Sequence, residues 1–135
     1  MAAAKKNKRI VGVVGLGIMG GAFAKNLVAA GCSVVGYDPN AARAREAQRA
    51  GVEIVMNVAE VATKAPTIIT SLPNPKALDL TARAIVAAEF PRRVIVEMST
   101  FAIADKAKSR AHVAQGRPRY ARLSGQRHRF PGQNA

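Results

Sequence analysis

Apolar residues follow two alternating rhythms along this chain. Ile10-Val11-Gly12-Val13-Val14 is a short β-branched run ending in glycine, the pattern of a strand buried on both faces. Met19, Ala22, Phe23, Leu27 and Ala30 then recur at three- and four-residue intervals, which predicts a helix, with Gly31 where a helix C-terminus belongs. Ser33-Val34-Val35-Gly36-Tyr37 reads as a second strand. It closes in Asp38-Pro39-Asn40, a turn that also suits the start of an Ala-rich helix from Ala41 to Ala50. Val52 to Val55 predicts a third strand, Asn57 a cap for a short helix through Thr63, and Thr67 to Ser71 a fourth strand. Pro73-Asn74-Pro75 turns into a helix over 76–88, Arg93 to Glu97 forms a fifth strand, and a last helix is expected over 102–114.

Strands alternating with helices of this length imply an α/β fold. The expected form is a Rossmann-type, doubly wound parallel sheet with right-handed crossovers and about five strands. After Gly116 the period disappears. Arg117-Pro118-Arg119-Tyr120-Ala121-Arg122-Leu123 and Arg127-His128-Arg129-Phe130-Pro131-Gly132 fit neither rhythm, so residues 116–135 are expected to be a disordered, Arg-rich tail. Three segments follow: a basic leader over 1–8, a dinucleotide-binding domain over 9–115, and the tail.

Composition supports one domain of this kind. At 135 residues, 49% apolar but only 4% aromatic and without Trp, the core must be made of Ala, Val, Ile and Leu. The single cysteine, Cys32, excludes an internal disulfide and fits a reducing, cytoplasmic setting. Lys5-Lys6-Asn7-Lys8-Arg9 followed by apolar residues imitates a secretory signal, but five glycines between Gly12 and Gly21 make a poor apolar helix. No run approaches the ~18–20 apolar residues of a membrane span.

The net charge of +13 is unevenly placed. Residues 1–105 hold 13 basic and all 8 acidic residues, whereas 106–135 hold 8 basic residues and no acid. With only Tyr120 and Phe130 among those basic side chains, stacking platforms for nucleic acid are scarce, so adventitious charge is the favoured reading of the tail.

Gly15-Leu16-Gly17-Ile18-Met19-Gly20 carries the chemistry. A G-x-G-x-x-G string alone says little, but here a strand precedes it and a helix follows. Gly15 permits the tight turn, Gly17 lets backbone approach a pyrophosphate, and Gly20 permits close packing of helix on strand. Free amides and the positive dipole end of the helix favour an anion there. Asp38 ends the second strand about 20 residues on, beside Tyr37, where a carboxylate accepts both adenosine-ribose hydroxyls of NAD. It could equally cap the next helix, and Arg43 or Arg45 could offer charge to the 2′-phosphate of NADP. Parallel sheets bind ligands beyond the carboxyl ends of their strands, which adds Leu72, Pro73 and Asn74, then Ser99 and Thr100. A turn and a helix cap are the plain alternatives for these.

The stretch from Gly15 through Asn26-Leu27 resembles the signature of the β-hydroxyacid dehydrogenases, within which Met19 and Asn26-Leu27 are similar to 3-hydroxyisobutyrate dehydrogenase, tartronate semialdehyde reductase and 6-phosphogluconate dehydrogenase. Glu97-Met98-Ser99-Thr100 resembles the family's acidic-x-Ser-Thr element, and Leu72-Pro73 its cofactor-contacting loop. The resemblance implies NAD, or NADP, as cofactor, with Thr100 near the nicotinamide. It runs from residue 9 to about 115 and stops before the family's D-x-P-V-S-G element and its catalytic lysine.

Reading the codons from Ala121 onward from their second base permits Leu-Asp-Cys-Pro-Val-Ser-Gly-Thr-Gly-Ser-Gln-Ala, which resembles the missing element. A one-base frameshift near residues 112–118 is therefore expected. His112 and His128 are expected to be solvated, and Lys25 and Lys106 to lie on the surface. The function expected is that of an NAD(P)-binding domain of an oxidoreductase acting on a small β-hydroxyacid, without turnover of its own. The alternative is a non-enzymatic module whose basic tail binds nucleic acid or an acidic partner.

Overall fold

The structure is a computed structural model that describes residues 8–88, 93–101, 103–115 and 119–122. Eleven elements follow one another in strict alternation. They are β1 (Ile10–Val14), α1 (Ile18–Ala29), β2 (Ser33–Tyr37), α2 (Ala41–Arg49), β3 (Glu53–Ile54) and α3 (Val58–Lys64), then β4 (Thr67–Thr70), α4 (Pro75–Ala87), β5 (Val94–Glu97), α5 (Ile103–Gln115) and β6 (Arg119–Arg122). All strands are parallel and lie in the order β3-β2-β1-β4-β5-β6. The chain winds outward from β1 in both directions, so β1 and β4 flank the point where the order reverses and a crevice must open.

Strand alternation assigns each side chain to a layer. Val14, Val35, Ile68 and Ile95 face one way and pack with Val61 and Ala62 of α3 and Ala82 and Ile85 of α4. Val13 and Val34 face the other way and join Leu16, Ala24 of α1 and Ala47 of α2. The core is thus aliphatic on both sides, as the near absence of aromatics requires.

Three Asn side chains start helices as expected of N-cap residues. Asn40 accepts from the N–H groups of Ala42 and Arg43, Asn57 from Glu60 N–H, and Asn74 from Ala77 N–H. Asn40→Ala is expected to cost about 1 kcal/mol, seen as a fall in melting temperature of roughly 3–5 °C. An unchanged melting temperature would remove the cap from the account.

Two expectations need correction. The third strand is only Glu53–Ile54, because Val52 gives its N–H to Ala47 O and so closes α2 instead of extending the ladder. Part of the expected disordered tail, Arg119–Arg122, is a sixth strand in parallel register with Val94–Glu97 of β5. Backbone pairing at a sheet edge does not demand the apolar pattern by which inner strands are recognised. The leader through residue 7, the tail beyond residue 122 and His128 lie outside the described residues, while His112 falls within α5.

Candidate functional site at the carboxyl edge of the sheet

Beyond the carboxyl ends of β1, β2, β4 and β5 lies a cleft of about 570 Å³. It is lined by Gly15, Gly17, Ile18 and Met19 from the glycine loop, Tyr37 and Asp38 from the end of β2, Leu72 and Pro73 after β4, and Ser99 and Thr100 after β5. These segments are distant in sequence and meet only through the parallel winding.

The glycine loop is held by backbone contacts that leave no room for side chains. Gly15 has φ 93°, and a Cβ on it would sit 1.9 Å from Ser71 O. A Cβ on Gly20 would sit 1.8 Å from Gly15 O, so the first turn of α1 lies directly on the loop. Gly15 N–H donates to Tyr37 O at 3.0 Å, stitching the loop to β2. Gly17 is different, since an added Cβ would meet only the Arg43 guanidinium, at 3.6 Å, so its outer side opens onto the cleft. Gly17 is also the N-cap of α1, with no side-chain cap and no acidic residue in the first turn. While α2, α3 and α4 have their first amides satisfied by Asn, α1 leaves its own for an external acceptor.

Asp38 is fixed in place. Its Oδ2 accepts from Leu16 N–H at 2.8 Å and its Oδ1 from Asn40 N–H at 2.7 Å. The carboxylate therefore ties the end of β2 to the glycine loop and braces the turn into α2, whose N-cap is Asn40. Each oxygen keeps a further lone pair for a hydroxyl. Arg43 lines the same end of the cleft, whereas Arg45 does not.

Three expected residues are near the cleft without lining it. Leu16 is 4% exposed in the core beneath α1 and α2, and its amide is taken by Asp38. Gly20 serves packing, and Asn74 is the cap of α4. Ser71, Ala77, Leu80 and Thr81 also line the cleft without having been expected there, as does Met98 from within the Glu97–Thr100 element. Ile18 is 96% exposed and Leu80 58%, giving the cleft an apolar rim.

A correction concerns the lysines. Lys25 is a surface residue, paired with Glu46 across α1 and α2 at 3.0 Å. The Lys25 hydrogen bond and charge hold the Glu46 carboxyl below its ordinary range. The small contribution of this solvated pair is thus present above that range and lost as pH falls through the lowered value. Lys106, in contrast, is only 7% exposed and makes an ion pair with the fully buried Glu97 at 2.8 Å. Lys106 lies nine positions after Glu97, near the start of α5, and nothing in the pattern shows that α5 folds back over the end of β5.

Among the described residues no group of three His, Cys, Asp or Glu could hold a metal ion, and no helix is long and apolar enough to cross a membrane.

A parallel sheet ordered 3-2-1-4-5-6, a glycine loop leading to an uncapped helix at the reversal point, and a carboxylate at the end of β2 define a dinucleotide-binding domain of the Rossmann class. Residues 10–120 match the family described as the NAD binding domain of 6-phosphogluconate dehydrogenase, and the chain belongs to that family. The match extends past the end near residue 115 expected from sequence and into β6.

Human mitochondrial 3-hydroxyisobutyrate dehydrogenase is 45% identical over 68 residues, covering 50% of this chain and 20% of that protein. The structure of 3-hydroxyisobutyrate dehydrogenase from Mycobacterium tuberculosis with L-serine superposes with a TM-score of 0.82 at 27% identity, over 85% of this chain and 40% of that one. An imine reductase from Pseudomonas sp. gives 0.80 at 25% identity, over 86% and 41%. The chain therefore spans well under half the length of these relatives.

Proposed function

We propose that this chain is the nicotinamide-dinucleotide-binding unit of a 3-hydroxyisobutyrate dehydrogenase-like oxidoreductase acting on a small β-hydroxyacid. The observation that carries this reading is the uncapped first turn of α1 opening onto the cleft beside Gly17, with Asp38 fixed at one end. The pyrophosphate would rest on the amides of Ile18 and Met19, the adenosine ribose against Asp38 and Tyr37, and the nicotinamide beside Leu72, Pro73 and Thr100. The bound cofactor supplies hydride transfer; these residues supply binding, orientation and shielding from water. Arg43, beside Gly17, gives a 2′-phosphate a cation to meet, so NADP is the second reading.

The cleft's ionisable side chains, Tyr37, Asp38 and Arg43, all belong to the adenosine end. Among the described residues the nicotinamide end offers only the hydroxyls of Ser71, Thr81, Ser99 and Thr100, none of which is a general base poised near neutrality. We therefore read the chain as binding cofactor without turnover. Mixing it with NAD and 3-hydroxyisobutyrate is expected to produce no NADH absorbance while NADH still binds. Measurable turnover would contradict this.

The family match to residue 120 supports reading a change of frame close to its end, at or shortly before Ala121. The string permitted by the shifted frame then follows Tyr120 without a gap. Resequencing the locus is expected to show one extra base there, and a shifted frame without a dehydrogenase continuation would contradict it. With Cys32 unpaired, the reading keeps a reducing, cytoplasmic setting.

A further inference from the structure

Glu97 is the last residue of β5 and is 0% exposed, and its partner Lys106 is 7% exposed. Burying two opposite charges costs several kcal/mol of desolvation per ion, and a well-packed apolar pair of the same volume is often as stable or more so. Such a pair is best explained by the hydrogen bonds it makes, and here they converge on one residue. Glu97 Oε1 accepts from Ser99 N–H at 2.5 Å, and Lys106 Nζ donates to Ser99 O. The Ser99 hydroxyl accepts from Leu72 N–H at 2.9 Å. Every polar group of Ser99 is thereby engaged, and the segment after β5 is pinned to the segment after β4. Neither Glu97 nor Lys106 lines the cleft, whereas Leu72, Met98, Ser99 and Thr100 form its far end.

We propose that Lys106, through Glu97 and Ser99, is a positioning residue that sets the Met98–Thr100 segment against the nicotinamide half of the dinucleotide. This rests on the reading of the cleft as a dinucleotide site. A dinucleotide with its pyrophosphate on α1 and its adenosine ribose at Asp38 must send its other half across the reversal point, to the segments that Ser99 holds together. Without Lys106 the Ser99 carbonyl loses its donor and the Glu97 carboxylate its counter-charge, and the segment is free to leave the geometry in which it meets the ring. Asp38 at the adenosine end bonds instead to Leu16 and Asn40, outside this network, and should not respond.

The test is calorimetric titration of the full 135-residue chain with NADH and with ADP-ribose, which lacks the nicotinamide. The wild type is expected to bind NADH more tightly than ADP-ribose. Lys106→Met should weaken NADH by about tenfold, the scale of one charge-assisted hydrogen bond, and leave ADP-ribose unchanged. Because Lys106→Met strands a buried carboxylate, the double variant Glu97→Gln/Lys106→Met is included to keep the fold, checked by thermal melting, and the same selective loss is expected of it. Lys106→Arg should recover part of the NADH affinity.

A folded variant lacking Lys106 that binds NADH like the wild type overturns the proposal. So does an equal loss for both ligands, which is the mark of a merely structural role, and so does a wild type with no preference for NADH. A wild type that binds neither ligand overturns the dinucleotide reading itself, an outcome distinct from the others.

Discussion

Gly15→Ala is expected to destabilise the fold by about 3 kcal/mol, because the new methyl group meets two separate obstacles. The backbone there has φ 93°, a region that costs an L side chain about 1–2 kcal/mol. The Cβ would also lie 1.9 Å from the carbonyl oxygen of Ser71, which is itself held by the Ser71 N–H bond to Val14 O at 2.9 Å. Backbone must move on both β1 and β4. A domain stable by about 5–15 kcal/mol loses a large share of its margin in this way. Gly31→Ala separates the two terms, since φ is 91° but no atom lies within 4 Å, and about 1 kcal/mol is expected. Urea unfolding measures both, and equal losses would show that the contact with Ser71 is not what constrains the loop.

The second large effect is expected of Asp38→Ala. Removing the carboxylate leaves Leu16 N–H and Asn40 N–H without their acceptor, and the Leu16 amide is partly buried. On the proposed binding mode the ribose would lose a hydrogen-bond partner at the same time. Bonds to a charged group contribute about 1.5–3 kcal/mol, so NADH affinity should fall by tenfold or more. NADPH should lose less. On the same binding mode its 2′-phosphate would be repelled by Asp38 in the wild type, and Arg43, beside Gly17, would remain to meet it in the variant. Parallel titrations with the two cofactors measure the change of preference. A proportionate loss for both would show that Asp38 acts only by holding the loop.

How much was legible in the sequence depends on what each residue encodes locally. The β1–loop–α1 unit was readable because Gly15, Gly17 and Gly20 stand at positions where a side chain has no space or would block an approach. Asn40, Asn57 and Asn74 announced three helix starts for the same local reason. For Asn74 this local role is what the structure shows, while its neighbours Leu72 and Pro73 line the cleft.

What stayed hidden depends on long-range contact. β6 is invisible in the pattern of Arg119-Tyr120-Ala121-Arg122 because its position follows from backbone pairing with β5. Lys106 reads as one basic residue among many. Only the return of α5 over the carboxyl end of β5 places its ammonium on Glu97. In the same way Leu16 sits inside the recognised motif, yet it faces the core and lends its amide to Asp38.

The cleft between β1 and β4 is proposed to hold a nicotinamide dinucleotide on the first turn of α1. Titrating the full chain with NADH while following nicotinamide fluorescence tests it directly. A saturable change with Kd below about 1 mM, some −4 kcal/mol, is predicted, with competition by ADP-ribose. No saturable change at several times that concentration, from protein shown to be folded, would contradict the account.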